Sequence, residues 1–274
     1  MDKGKDKLKI AAVQFCANED KKENLTRISR YIHTAIEKGV DTVVLPEVFN
    51  CCGRTEVMVK NAEQIPGYTT SFLSDIAQRG GISIVCGTIY EKAEKNKVFN
   101  TSVLVGRDGE ILAKYRKIHL FDVDISGRVR YKESDYVTAG NEIVTVSMDN
   151  FDVGLVICYD LRFCELFRIL ALRGAKIIFL PSAFTLATGK YHWEPLIKAR
   201  AIENQVFIVA VNQIGTSPNN ITCYGKSMIV DPWGRVLAEA EDDDNIISAE
   251  IDLNVLDTVR ADIPSFSHRR IDLY

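Results

Sequence analysis

Two kinds of apolar pattern alternate along the chain. Short runs dense in Val, Ile, Leu and Phe lie at 8–15, 41–45, 83–90, 153–157, 176–180 and 206–212, and each predicts a buried strand. Between them apolar side chains recur at helical spacing. Leu25, Ile28, Ile32 and Ile36 share one face of a helix predicted over 21–39. A second helix is predicted over 69–78, started near Tyr68 and stopped by Gly80-Gly81. A third begins at Leu161, with Leu166, Ile169 and Leu170 on one face, Arg162, Glu165 and Arg168 on others, and Gly174 as its cap. A loop through Thr188 and Gly189 precedes a fourth over 193–204. Hairpins are predicted for 99–105 with 111–115, around Arg107-Asp108-Gly109, and for 224–230 with 236–240, around Asp231-Pro232-Trp233-Gly234. A charged turn occupies 92–97, one more strand 246–251, and the tail from Asn254 has weak helical character. The stretch 121–140 reads as a long polar loop, uncommon inside a compact domain unless it serves function.

Strands alternating with helices in both halves predict an α/β architecture with helices packed outside sheets. No linker or composition shift divides the chain, so one domain is expected over 1–274, with a core at about 8–253 and an extension at 254–274. The 46% hydrophobic and 26% charged content suits a full core. A net charge of -3 gives no strong pull toward nucleic acid or anionic membrane, so neither is an expected partner. The seven cysteines are scattered, two of them adjacent at Cys51-Cys52; there is no CxxC pair, and only four His are present. That usage argues against a disulfide framework or a zinc site and for a reducing, cytoplasmic setting. The charged N-terminus lacks the apolar centre of a signal peptide, and no run is long enough to span a membrane.

Three polar residues stand where predicted strands end. Glu47 follows Val43-Val44-Leu45-Pro46, Lys117 follows the strand at 111–115, and Cys158 follows 153–157. Strand ends on one side of an α/β sheet are where such folds build sites. Cys158 is expected at a sharp strand-to-helix turn, beside free backbone N–H groups and the positive end of a helix. Both would favour a thiolate, and the N–H groups would stabilise an oxyanion. A carboxylate, an ammonium and a thiol together make an amidase set: base and acid, charge stabiliser and nucleophile. Taken singly each has an ordinary explanation: a buried structural cysteine, a loop carboxylate, and a solvated basic cluster of Lys114, Arg116, Lys117 and His119. Pattern alone does not single out Glu133, in Tyr131-Lys132-Glu133-Ser134.

Leu45-Pro46-Glu47, Lys114-Tyr115-Arg116-Lys117-Ile118-His119-Leu120 and Cys158-Tyr159-Asp160-Leu161-Arg162-Phe163 resemble, in order and separation, the three signature stretches of the nitrilase superfamily, the carbon–nitrogen hydrolases. The resemblance runs from about Lys9 to Leu253. It implies a four-layer α-β-β-α sandwich, no cofactor, and a catalytic triad falling on Glu47, Lys117 and Cys158. It also implies an additional glutamate at Glu133 and an oxyanion hole made by the Tyr159 N–H with the Lys117 ammonium. A homodimer or higher homo-oligomer, pairing the helices after the nucleophile, is implied as well.

Tyr115 through Asp122, Tyr131 through Ser134, Phe184 through Thr188-Gly189 to His192-Trp193, and Asp231 through Gly234 are similar to the ω-amidase branch. That likeness implies that Arg162 binds a substrate carboxylate and that Phe184 and Thr188 help line the pocket. Arg162 lies four residues after Cys158, and an Arg there can pair bidentately with a carboxylate. Its alternative is an internal pair with Asp160 or Glu165. His192 is expected to be structural. Ala187-Thr188, Asn212-Gln213-Ile214 and Gly225-Lys226-Ser227 depart from the branch's common forms and bear on the substrate rather than the triad. The implied reaction is hydrolysis of the terminal amide of 2-oxoglutaramate or 2-oxosuccinamate, through a cysteinyl thioester, to acid and ammonia. The rivals are hydrolysis of an N-carbamoyl amine or amino acid, a nitrilase, or a silent interaction scaffold.

Overall fold

In the computed structural model, which describes residues 6–94, 97–125 and 129–273, strand β1 (Lys7–Gln14) feeds two separate cores. Leu8, Ile10 and Ala12 join one, and Ala11 and Val13 the other. That period-two division places a layer of protein on each face of the sheet. The first half continues with α1 (Lys21–Glu37), β2 (Thr42–Val44), α2 (Thr55–Lys60), α3 (Tyr68–Gly80), β3 (Ser83–Val85), β4 (Ile89–Lys92), β5 (Val98–Val105) and β6 (Ile111–Arg116). A hairpin, β7 (Asp122–Ile125) and β8 (Val129–Lys132), and a 3-10 turn (Glu133–Asp135) lead to the second half. That half runs β9 (Thr145–Met148), β10 (Phe151–Leu155), a 3-10 turn (Cys158–Arg162), α4 (Cys164–Leu172), β11 (Ile177–Ser182), α5 (Leu186–Asn204) and β12 (Phe207–Asn212). It ends with β13 (Ile214–Thr216), β14 (Thr222–Tyr224), β15 (Met228–Val230), β16 (Val236–Glu239), β17 (Asn245–Asp252) and α6 (Asn254–Asp262).

The first sheet has the order β17-β1-β2-β3-β5-β4, with β6 joined to β5; the second has β16-β15-β12-β11-β10-β9. Each has a parallel centre, β1-β2-β3 in one and β10-β11-β12 in the other, and antiparallel flanks. β17 returns to β1, in register from Lys7↔Asp252 to Gln14↔Asn245. Leu8, Ile10, Val44, Val85 and Tyr115 of the first half share a core with Leu155, Phe179, Ile208 and Ile229 of the second. On the outer face of the first sheet, Leu25, Ile28 and Ile32 of α1 and Leu73 and Ala77 of α3 pack on Val13, Val43 and Ile84. Phe167 and Leu170 of α4 and Trp193 and Ile197 of α5 cover the second sheet. The layers are helix, sheet, sheet, helix, the sandwich expected.

Several elements differ from the sequence reading. The strand expected over 83–90 breaks at Gly87, whose φ is +46° and whose Cβ would stand 2.0 Å from the Pro46 carbonyl oxygen. The stretch 121–140 holds a hairpin and a 3-10 turn rather than loop alone. α2, β9 and the β13–β14 hairpin were not predicted; each is too short to show a period. Tyr224 pairs in that hairpin, with Ile214, and not in β15. α5 starts at Leu186, so Thr188 and Gly189 lie in its first turns. Gly189 signals close packing rather than a loop, since a Cβ there would meet Tyr224 Cβ at 2.4 Å. Residues 1–5 of the N-terminal stretch, and 95–96 of the charged turn, lie outside the described residues. Among the described residues no helix is long and apolar enough to cross a membrane.

Candidate active site

The ends of β2, β6 and β10 bring Glu47, Lys117 and Cys158 to one buried point. Glu47 follows Pro46, and its backbone is held on both sides: its N–H donates to Ser182 O at 3.4 Å and its carbonyl accepts from Gln213 Nε2 at 2.8 Å. Lys117 is fixed by its N–H to Asn100 O at 2.8 Å and by Gly140 N–H to its carbonyl at 2.8 Å. Cys158 opens the 3-10 turn with φ +45°, a left-handed conformation rare for a side chain with a Cβ. Asp160, wholly buried, accepts Ile157 N–H at 2.8 Å and the Tyr115 hydroxyl at 2.7 Å, so it joins the nucleophile's turn to β6, the strand just before Lys117.

Lys117 Nζ stands 2.9 Å from Glu47 Oε1 and 2.9 Å from Glu133 Oε2. Asn100 Nδ2 donates to both carboxylates, at 2.8 Å to Glu47 and 3.3 Å to Glu133. Ala183 N–H takes the other Glu47 oxygen at 2.7 Å, and Phe121 N–H takes Glu133 Oε2 at 2.7 Å. Glu47, Lys117 and Glu133 are all at most 4% exposed. Burial alone would push the Lys117 ammonium down, but Glu133 and Glu47 outweigh it and hold the group well above its ordinary value. Cys158 lines the same cavity as Glu47 and Lys117. Burial and the Glu47 carboxylate push it well above the ordinary thiol range, against the opposing pull of Lys117 and the Ala183 N–H.

The nucleophile's expected place beside the start of an α-helix is corrected: Cys158 opens a 3-10 turn. α4 starts only at Cys164.

These groups form the floor of a cavity of about 750 Å³, counted out to its solvent-filled mouth. Tyr159, Phe184 and Thr188, all named from the sequence, line it. Arg162 does not; its guanidinium lies 5.7 Å from the Tyr159 ring centre and 5.2 Å from that of Phe184, and 3.2 Å from His192 Nδ1. Its expected alternative, a pair with Asp160 or Glu165, is not made. Sequence reasoning missed Asn100 and Asp160. For Asn100 the signal was the polar run Asn100-Thr101-Ser102 inside an otherwise apolar strand. It also missed Ser217, Asn219 and Cys223, which the β13–β14 hairpin adds to the wall. Lys114 and Arg116, read as part of a solvated cluster, reach the buried Glu91 at 3.0 and 2.7 Å. Among the described residues, no group of three or more His, Cys, Asp or Glu could hold a metal ion.

The sequence profile of the carbon–nitrogen hydrolase family matches residues 9–261. The omega-amidase NIT2-A of Xenopus laevis is 40% identical over 268 residues, covering 98% of this chain and 97% of that protein. The crystal structure of the NitFhit protein of C. elegans superposes with a TM-score of 0.92 at 39% identity, over 98% of this chain; this chain spans 66% of that longer one. Saccharomyces cerevisiae Nit3, a member of branch 10 of the nitrilase superfamily, superposes with a TM-score of 0.87 at 35% identity over 97% of both chains. With three strand ends converging on one thiol, carboxylate and ammonium, and relatives matched over nearly its whole length, the chain belongs to the carbon–nitrogen hydrolase family, in the ω-amidase branch of the nitrilase superfamily.

Proposed function

We propose that this chain is an ω-amidase, a thiol amidohydrolase that cleaves the terminal amide of a small 2-oxo acid such as 2-oxoglutaramate or 2-oxosuccinamate. The observation that carries the reading is the Lys117 ammonium held between Glu47 and Glu133 in the wall of the cavity that Cys158 also lines. Cys158 Sγ attacks the amide carbon while Glu47 takes the thiol proton. The carbonyl oxygen becomes an oxyanion, held by Lys117 Nζ and the Tyr159 N–H. The C–N bond then breaks, and Glu47 passes its proton to the leaving nitrogen, which departs as ammonia. Water attacks the thioester with Glu47 as base; the C–S bond breaks, the sulfur regains a proton, and the acid leaves. Glu133 keeps Lys117 charged and aimed.

Arg162, which has no carboxylate partner among the described residues, attracts the substrate's carboxylate toward the aromatic wall of Phe184 and Tyr159. Thr188 contributes a hydroxyl to that wall. The protein acts in the cytoplasm as one domain that pairs with a second copy. Leu172 on α4 and Ile202 on α5, exposed to 48% and 51%, support pairing through those helices.

The test is ammonia release from 2-oxoglutaramate, glutamine, an N-carbamoyl amino acid, N-carbamoylputrescine and a simple nitrile, beside Cys158→Ala. Preference for 2-oxoglutaramate, abolished in the variant, is expected. Turnover by Cys158→Ala would refute the mechanism, and preference for a carbamoyl compound would overturn the substrate.

A further inference from the structure

The loop between β13 and β14 contributes Ser217, Asn219 and Ile221 to the cavity that holds Cys158. It is a braced loop. Ser217 N–H donates to Ile221 O at 3.0 Å and Asn220 N–H to Ser217 O at 2.9 Å. The Asn219 carboxamide is oriented by its neighbours. Its Oδ1 accepts from Ile221 N–H at 3.2 Å and lies 2.6 Å from Ser217 Oγ. A flipped amide would set its own NH2 against the Ile221 N–H, donor against donor, so the oxygen is fixed on the loop side. Oδ1 is committed to the loop. The group that Asn219 offers the cavity is therefore Nδ2, which carries two donors and has no protein partner among the described residues.

The charge balance of the wall points the same way. Among the described lining residues Lys117 is the only cation, and it lies between Glu47 and Glu133. An anionic substrate end inside the cavity meets no unpaired positive charge there. It must be satisfied by neutral donors, or its desolvation goes uncompensated. Thr185 and Thr188 are partly engaged with each other, their hydroxyl oxygens 3.3 Å apart. Asn219 is a wall group with two donors to spare, and its loop already fixes where they point.

We infer that Asn219 is a specificity-determining residue whose Nδ2 donates to the oxygens of the substrate's 2-oxo acid end, away from the reacting amide. This rests on the reading of the chain as an amidase of carboxylate-bearing amides. Being held by its own loop, the donor needs no rearrangement on binding. It also discriminates. An ammonium-bearing substrate would set donor against donor and leave buried groups unpaired. Selection for an acid end is thus shared between Arg162 outside the lining and a neutral amide within it.

Two substitutions separate this role from support of the loop. Asn219→Asp keeps an oxygen for Ile221 N–H and Ser217 Oγ but replaces the free NH2 with a second, anionic oxygen. Asn219→Ala removes both ends. With 2-oxoglutaramate, Asn219→Asp is expected to raise KM roughly ten- to a hundredfold, more than Asn219→Ala, with kcat changed far less. An uncharged linear amide of the same length should lose at least tenfold less than 2-oxoglutaramate does. Melting temperatures of both variants report on the fold. A loop-support role predicts the reverse order, Asn219→Asp near wild type and Asn219→Ala impaired on both substrates alike, and that result would overturn the inference. Equal KM values in all three proteins would overturn it too, leaving the amidase reading in place. A wild type inactive on every carboxylate-bearing amide but active on others would instead sink the substrate assignment, and this inference with it.

Discussion

The hydroxyl of Tyr115 donates to the Asp160 carboxylate at 2.7 Å, and through that bond the segment bearing Lys117 is tied to the turn bearing Cys158. Four donors converge on Asp160. Besides Tyr115 these are Ile157 N–H at 2.8 Å, His119 N–H at 3.1 Å and His119 Nδ1 at 2.7 Å. The carboxylate accepts only, so Nδ1 carries the proton; the ring is further held by stacking on Phe163 at 3.6 Å. Asp160 touches no reacting atom, yet its partners lie two residues on either side of Lys117 and next to Cys158. It is a positioning residue.

Asp160→Asn keeps the shape but sets an NH2 among donors, leaving at least one of them unpaired. We expect kcat to fall roughly tenfold to a hundredfold with KM little changed, because a misplacement of about 1 Å between nucleophile and oxyanion donor costs that much. Steady-state kinetics beside thermal unfolding decides the point. A lowered melting temperature with full kcat would make Asp160 a purely structural anchor.

Lys117 carries a different risk. Replacing it with Met leaves Glu47 and Glu133 buried without their cation, and breaking such a pair costs about 3–5 kcal/mol. Removing one of the orphaned charges should recover part of that loss. The double variant Lys117→Met, Glu133→Gln is therefore expected to be more stable than Lys117→Met alone, by at least about 1 kcal/mol, while remaining inactive. Urea unfolding of the two single variants and the double one measures the coupling. Strict additivity would mean that Glu133 and Lys117 do not depend on each other's charge.

The layers of this fold were legible because buried parallel strands write themselves as dense apolar runs and outer helices as a 3.6-residue stripe. β1, α1, β11 and β12 are of that kind. Glu47 and Cys158 were legible because each follows such a run, whereas Lys117, behind the mixed strand at 111–115 and inside a basic cluster, needed the family resemblance. Asn100 and Asp160 were not legible, since their value lies in which groups meet them from distant segments. The same holds for Asn219, on a hairpin of two three-residue strands that carries no periodic signal. The surroundings of the thiol were hidden for a related reason. A turn near a helix suggests a lowered thiol pKa, but burial and the Glu47 carboxylate push it up, and neither is written in local sequence.

Glu91 gives a prediction in pH. Its carboxylate is buried and meets Arg116 Nε at 2.8 Å, Arg116 at a second nitrogen at 2.7 Å, Lys114 at 3.0 Å and Thr101 at 2.9 Å. Burial alone would raise its pKa, but Arg116, Lys114 and Thr101 outweigh burial and bring it down to about 2. In the unfolded chain a glutamate titrates near ~4.3. The folded value is the lower one, so the stability Glu91 contributes is present above ~4.3 and is lost as pH falls toward 2. Glu91→Gln is expected to be less stable than wild type by about 1.5–3 kcal/mol at pH 7. That gap should close between about pH 4.5 and 2, because a protonated Glu91 and a glutamine then offer the same cations a neutral group. Chemical denaturation of both proteins at pH 7, 4.5, 3 and 2 follows the gap. A constant difference across that range would show that Glu91 stabilises the sheet through packing and not through its charge.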